Sequence, residues 1–125
     1  MNSFLKEYSK EKILEDFHSS YIKDILVETV NLTRATLKES LEFRTKLEND
    51  IYSMNTKLII DLSQCEFIDS SFLGVLVLIK KKVGKLKGVL KVIKPVNFSE
   101  SMMQYTMTLQ LFDTYPDLES AINSF

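Results

Sequence analysis

Apolar residues in this chain fall into short runs that alternate with longer stretches of helical spacing. Ile25-Leu26-Val27-Glu28-Thr29-Val30 is rich in β-branched residues and predicts a strand. A helix should follow, because Thr36-Leu37-Lys38-Glu39 has the S/T-x-x-E spacing in which two side chains satisfy each other's orphan backbone N–H groups. Leu37, Leu41, Phe43, Leu47 and Ile51 then fall within one arc of roughly 160° at ~100° per residue, opposite Lys38, Glu42, Lys46 and Asn49. That pattern predicts an amphipathic helix whose apolar arc lies on a core.

Leu58-Ile59-Ile60-Asp61-Leu62 is a compact apolar run, the mark of a strand buried on both faces. Ser63-Gln64-Cys65 breaks it, and Glu66-Phe67-Ile68 leads into Asp69-Ser70-Ser71. Residues 72–83 are ambiguous in isolation, since Val75 to Ile79 alone would suit a strand. Three features favour a helix. Phe72, Leu76, Ile79 and Val83 keep i, i+4, i+7, i+11 spacing; Asp69, Ser70 and Ser71 are all good N-cap types; and Lys80, Lys81 and Lys82 precede Gly84, where a helix end favours cations and then a stop. Val89 to Ile93 predicts another strand, stopped by Pro95. Asn97 or Ser99 could cap a helix through Met102, Met103 and Tyr105; Leu111 to Tyr115 is a short strand candidate; and Asp117 can cap a last helix carrying Leu118, Ala121, Ile122 and Phe125. Strands alternating with helices imply an α/β layered domain, with some strands parallel and their crossovers right-handed.

Composition narrows this picture. A chain of 125 residues, 45% hydrophobic and 26% charged, is expected to form one domain over 1–125 with a real core. Residues 1–12 are polar and are left open between a frayed arm and an extra helix, and the N-terminal segment 1–23 as a whole is left unassigned. No window has the ~18 uncharged apolar residues of a membrane span, and the start lacks a signal peptide's apolar run. The lone cysteine, Cys65, excludes an internal disulfide framework. A cytoplasmic protein with no membrane insertion is the expectation.

The net charge of −1 conceals a block. Residues 70–99 hold seven lysines (80, 81, 82, 85, 87, 91 and 94) and no acid, whereas residues 1–69 hold 9 bases against 13 acids. No aromatic interleaves these lysines and no arginine accompanies them to read base edges, so a solvated face is favoured over an acidic protein or nucleotide partner, and nucleic acid comes last.

Enzyme signatures are missing: there is no G-x-x-x-x-G-K-[ST], no G-x-G-x-x-G and no G-x-S-x-G. One histidine (His18) and one cysteine cannot build a zinc cluster, so no metal or other cofactor is expected. His18 reads as an ordinary structural or surface residue rather than a base. Asp61, Glu66 and Asp69 could pair for acid–base work or hold magnesium, but no spacing singles out a pair, and solvation or capping is the simpler role. Met102, Met103 and Met107 fit core filling better than an adaptable binding surface.

One segment stands out: Ile59-Ile60-Asp61-Leu62, Ser63-Gln64-Cys65, then Phe67-Ile68-Asp69-Ser70-Ser71-Phe72-Leu73-Gly74. This resembles the STAS domain family, whose soluble bacterial members are anti-sigma factor antagonists. The family pattern is a buried strand ending in Asp-Leu, a short turn, an apolar pair and Asp-Ser-Ser/Thr-Gly-Leu-Gly. Leu109 to Ile122 is similar to the family's last strand and helix, so the likeness spans about residues 25–125. Two departures stand beside it. Phe72 occupies the place of the first motif glycine, and Val30-Asn31-Leu32-Thr33 replaces a Gly-x-Leu/Ile-Asp turn.

The resemblance implies a STAS-type α/β domain, a mixed sheet of about four to five strands packed with about four helices. It also implies partner switching without catalysis. The serine after the aspartate maps onto Ser70, the expected phosphorylation site, with Ser71 as runner-up. Asp69, Ser70, Ser71 and an exposed Phe72 would form the partner-binding surface, with Leu73 and Gly74 as packing positions. The implied partners are an anti-sigma factor that is also a serine protein kinase, and a serine phosphatase. The alternative is a STAS scaffold module that is not phosphorylated and holds a signalling or membrane-associated complex together.

Overall fold

The computed structural model describes residues 15–96 and 110–125. Seven strands, β1 (Phe17–Ile22), β2 (Ile25–Val30), β3 (Arg34–Ala35), β4 (Lys57–Asp61), β5 (Phe67–Ile68), β6 (Val89–Ile93) and β7 (Asp113–Tyr115), alternate with three helices, α1 (Leu37–Tyr52), α2 (Ser70–Lys85) and α3 (Leu118–Asn123). The main sheet runs β1-β2-β4-β6-β7, and a separate pair joins β3 to β5. Among the described strands only the β1–β2 pairing is antiparallel; β2–β4, β4–β6, β6–β7 and β3–β5 are parallel. The architecture is the expected α/β mixed sheet. The helix anticipated through Met102, Met103 and Tyr105, and Met107 with it, lies outside the described residues.

β1 falls in the N-terminal segment that the hydrophobic pattern left unassigned. Its side chains are mostly polar, and only Phe17 is fully buried. What makes it a strand is a tight connection to β2, in which Ile22 pairs with Ile25 and Lys23 takes φ 56°, the left-handed region that favours closed turns. That connection belongs to the pairing rather than to β1 itself.

The central strands are apolar because both their faces are covered. On one face, Leu26, Val30, Leu58 and Ile60 meet Phe43 and Leu47 of α1 and Phe72, Leu76, Ile79 and Val83 of α2. On the other, Ile25, Val27, Ile59 and Ile93 meet Ala121 of α3. The spacing that favoured helix over strand in residues 72–83 is the buried stripe of α2.

In α1 the expected arc is displaced. Phe43 and Leu47 are fully buried and Ser40 is 7% exposed, but Leu37 and Leu41 are 69% and 73% exposed. The buried face is therefore centred on Ser40, Phe43 and Leu47, and two leucines expected in the core face solvent.

Candidate functional site

The motif region owes its shape to the small β3–β5 sheet. Arg34 and Ala35 lie in register with Phe67 and Ile68, and the Asp69 N–H donates to the Ala35 carbonyl at 3.0 Å. This brings Asp69 beside the start of α1, with α2 beginning one residue later. The Asp69 carboxylate then accepts twice. Its Oδ1 takes the Phe72 N–H at 3.0 Å, capping α2, and its Oδ2 takes the Leu37 N–H at 2.8 Å, from the first residue of α1. One side chain thus holds the N-terminal turns of two helices. Within α1 itself, Glu39 Oε1 accepts from the Thr36 N–H at 3.2 Å and from its hydroxyl at 3.3 Å, the reach-back that the S/T-x-x-E spacing predicts.

Ser70 is the first residue of α2 and is exposed; Ser71 is half-buried. Phe72 differs from its expected role. Its side chain is 0% exposed and stacks on Phe43 at 4.3 Å and on Phe17 at 6.4 Å between ring centroids. It cannot offer a docking surface, because the third residue of α2 faces the core. Leu73 packs as expected at 3% exposed, but Gly74 is exposed and a Cβ there would meet none of the described atoms within 4 Å. The start of α1, whose Leu37 N–H meets Asp69, instead carries two exposed leucines, Leu37 and Leu41, one turn apart. Hydrophobic periodicity could not reveal them, since it assigns every leucine of the arc to the core.

Other candidates take structural places. Asp61 Oδ1 accepts from the Ser63 N–H at 2.9 Å and so shapes the turn after β4. Glu66 and His18 are exposed. Cys65 is buried, and burial first, with the Asp61 charge second, pushes its thiol up to about 12, so it stays protonated at neutral pH. Among the described residues no group of three or more His, Cys, Asp or Glu could hold a metal ion, and no helix is long and apolar enough to cross a membrane. A cavity of about 390 Å³ beside the start of α1 is lined by Asp16, Leu32, Arg34, Thr36, Lys38 and Glu39; with two cations and two acids it favours neither sign of ligand.

The lysine block is dispersed by the fold. Lys82 pairs with Glu48 of α1, Lys80 donates to the Leu111 carbonyl, and Lys91 is buried on the face of α3. Lys81, Lys85, Lys87 and Lys94 remain exposed. Lys82 and Lys85 lie in the last turn of α2, where the helix dipole favours cations.

The family model described as the STAS domain matches residues 10–121. No curated protein sequence matches the chain. An anti-sigma factor antagonist from Mycobacterium paratuberculosis has the same fold at TM-score 0.74 and 21% identity, over 86% of this chain and 91% of that one. The Bacillus cell fate determinant SpoIIAA in its phosphorylated form aligns at TM-score 0.65 and 18% identity, over 86% and 97%. The anti-sigma factor antagonist SpoIIAA in its unphosphorylated form aligns at TM-score 0.67 and 15% identity, over 86% and 94%. At such identities these likenesses establish the fold.

Proposed function

The chain belongs to the STAS domain family, and on that premise we propose that it is an anti-sigma factor antagonist that switches partners through Ser70. The observation that carries the reading is the placement of an exposed Ser70 at the first position of a long helix, beside an Asp69 already engaged in capping. A kinase can reach that hydroxyl without unfolding the domain, whereas Ser71 is half-buried. Phosphorylation adds about −1.5 to −2 charge, which a helix N-terminus tolerates. The modified domain stays folded while the surface it presents gains negative charge. SpoIIAA, a neighbour in fold, exists in phosphorylated and unphosphorylated forms, which makes such a change compatible with this architecture.

In this mechanism the unphosphorylated protein binds an anti-sigma factor that is also an ATP-dependent serine kinase, and a sigma factor is released. Phosphotransfer to Ser70 ends the complex, and a serine phosphatase restores it. The protein is then a binder and a substrate, acting in the cytoplasm, rather than an enzyme. Leu37 and Leu41 supply the apolar contact that a single serine cannot, and Asp69 sets the position of both helices around it.

The test is binding of Ser70→Ala and Ser70→Asp to the anti-sigma factor kinase, with the phosphate mapped after incubation with ATP. Ser70→Ala is expected to bind persistently. Ser70→Asp is expected to bind more than about tenfold more weakly, a loss of about 1.4 kcal/mol or more. Equal binding by both variants overturns the reading, and absence of any added phosphate points instead to the scaffold alternative.

A further inference from the structure

Glu28 sits in the middle of β2, between β1 and β4, and is 1% exposed. Its side chain shares the face of Leu26 and Val30, toward α1. Oε1 accepts from the Ser19 hydroxyl at 2.6 Å, across the β1–β2 register. Oε2 is shielded from solvent and has no hydrogen-bond partner among the described residues, and the same is true of Oδ2 of Asp50, near the end of α1. Asp50 lies one turn beyond Leu47 on α1, and Leu47 packs in the same cluster as Leu26 and Val30, which flank Glu28 on its face of β2, so the two carboxyl groups are turned toward each other.

Ionised carboxylates only accept. Two of them facing each other without a donor would leave two buried acceptors unsatisfied beside a like-charge repulsion, which is costly in a low-dielectric interior. A single proton supplies the donor and removes one charge. Among the described residues, no other group donates to Glu28 Oε2 or Asp50 Oδ2. From β1 the facing groups are Ser19 and, two residues on, Tyr21, whose hydroxyl donates to Asn55. From β4 the register partner is apolar Ile60. From α1, the Lys46 charge favours ionised Asp50, against the burial and the Glu28 carboxyl that oppose it.

We propose that Glu28 and Asp50 share one proton at neutral pH, and that this proton fastens the end of α1 to the β1–β2 hairpin, so that the fold weakens as pH rises. Burial first, then the neighbouring Glu28, raises the carboxyl of Asp50 from 3.8 to about 8; the proton belongs to the pair rather than to either residue. An unfolded chain releases it near ordinary carboxylate values. Between about pH 4 and about pH 8 the folded state therefore holds one proton more than the unfolded state, and stability falls with rising pH across that window. Below it both states are protonated and the contribution is complete. α1 is then held at both ends, by Asp69 at its start and by the shared proton near its finish.

The test is urea unfolding of the full chain at pH 5, 7 and 9, beside Asp50→Asn, whose amide donates the hydrogen bond without titrating. The folding constant of the unsubstituted chain should fall relative to Asp50→Asn by up to about tenfold per pH unit across the window. Carbon-13 titration of the carboxyl carbons in the unsubstituted chain should show one proton leaving the pair above pH 7. Parallel stability curves, or two carboxyls that both titrate below pH 5, overturn the proposal. Should Asp50→Asn fail to fold, the carbon-13 titration decides alone.

Discussion

Asp69 accepts from Phe72 in its own helix and from Leu37 in another, so a residue expected to cap one helix also joins two. The capping role follows from the residue type and its place before an apolar helical stripe. The junction to Leu37 does not, because the two residues are 32 positions apart and meet only through the β3–β5 pairing. Asp69→Ala should cost about 2–3 kcal/mol, a cap plus a charge-assisted bond at a partly exposed site. Asp69→Asn keeps one acceptor oxygen and should recover about half of that. Urea denaturation of both variants checks the order. Phe72 shows the opposite relation: a motif glycine is replaced by a phenylalanine that stacks on Phe43 and Phe17, so the departure is absorbed by the core and leaves the Ser70 surface untouched.

At the level of elements, α2 was legible to within a few residues and α1 only in its extent. The α2 stripe, ambiguous over Val75 to Ile79 alone, is settled by its flanks, because the exposed positions of the helix are lysine, serine or glycine. In α1 the apolar arc is wider than the surface it covers, so part of it had to be left out; burying the small Ser40 brings α1 against the sheet and α2 and leaves Leu37 and Leu41 outside. The two kinds of leucine should separate experimentally. Leu47→Ala opens a cavity in the core and should cost about 2–5 kcal/mol. Leu41→Gln should change stability by no more than about 0.5 kcal/mol, as for an exposed site. Thermal unfolding measures both, and on the partner-switching reading Leu41→Gln also weakens kinase binding.

Across the whole molecule, α3 covers the second face of the sheet with few residues and is tied down by a lysine. Lys91, 5% exposed on β6, donates to Ser124 Oγ at 2.6 Å and to the Ser124 carbonyl at 3.2 Å, with the Phe125 ring 4.6 Å away. It satisfies a carbonyl at the end of a helix, where a cation is favoured. Lys91→Met keeps the bulk and removes these bonds. Amide exchange in α3 should then accelerate by about tenfold or more while α1 and α2 stay protected, since local opening is governed by local contacts. This member of the lysine block is thus a fastening in the interior, and Lys82 joins α2 to α1.

What the sequence by itself determined was the alternation of strands and helices, the buried stripe of α2 and the Asp69-Ser70-Ser71 motif at its start. Those depend on neighbours close in the chain, where periodicity and capping chemistry act. Only the tertiary structure decided that β1 is a strand, that Leu37 and Leu41 face outward, that Phe72 faces inward, and that Glu28 meets Asp50. Each of those depends on which surface another element covers, and a side chain's burial or protonation answers to that neighbour rather than to its own segment.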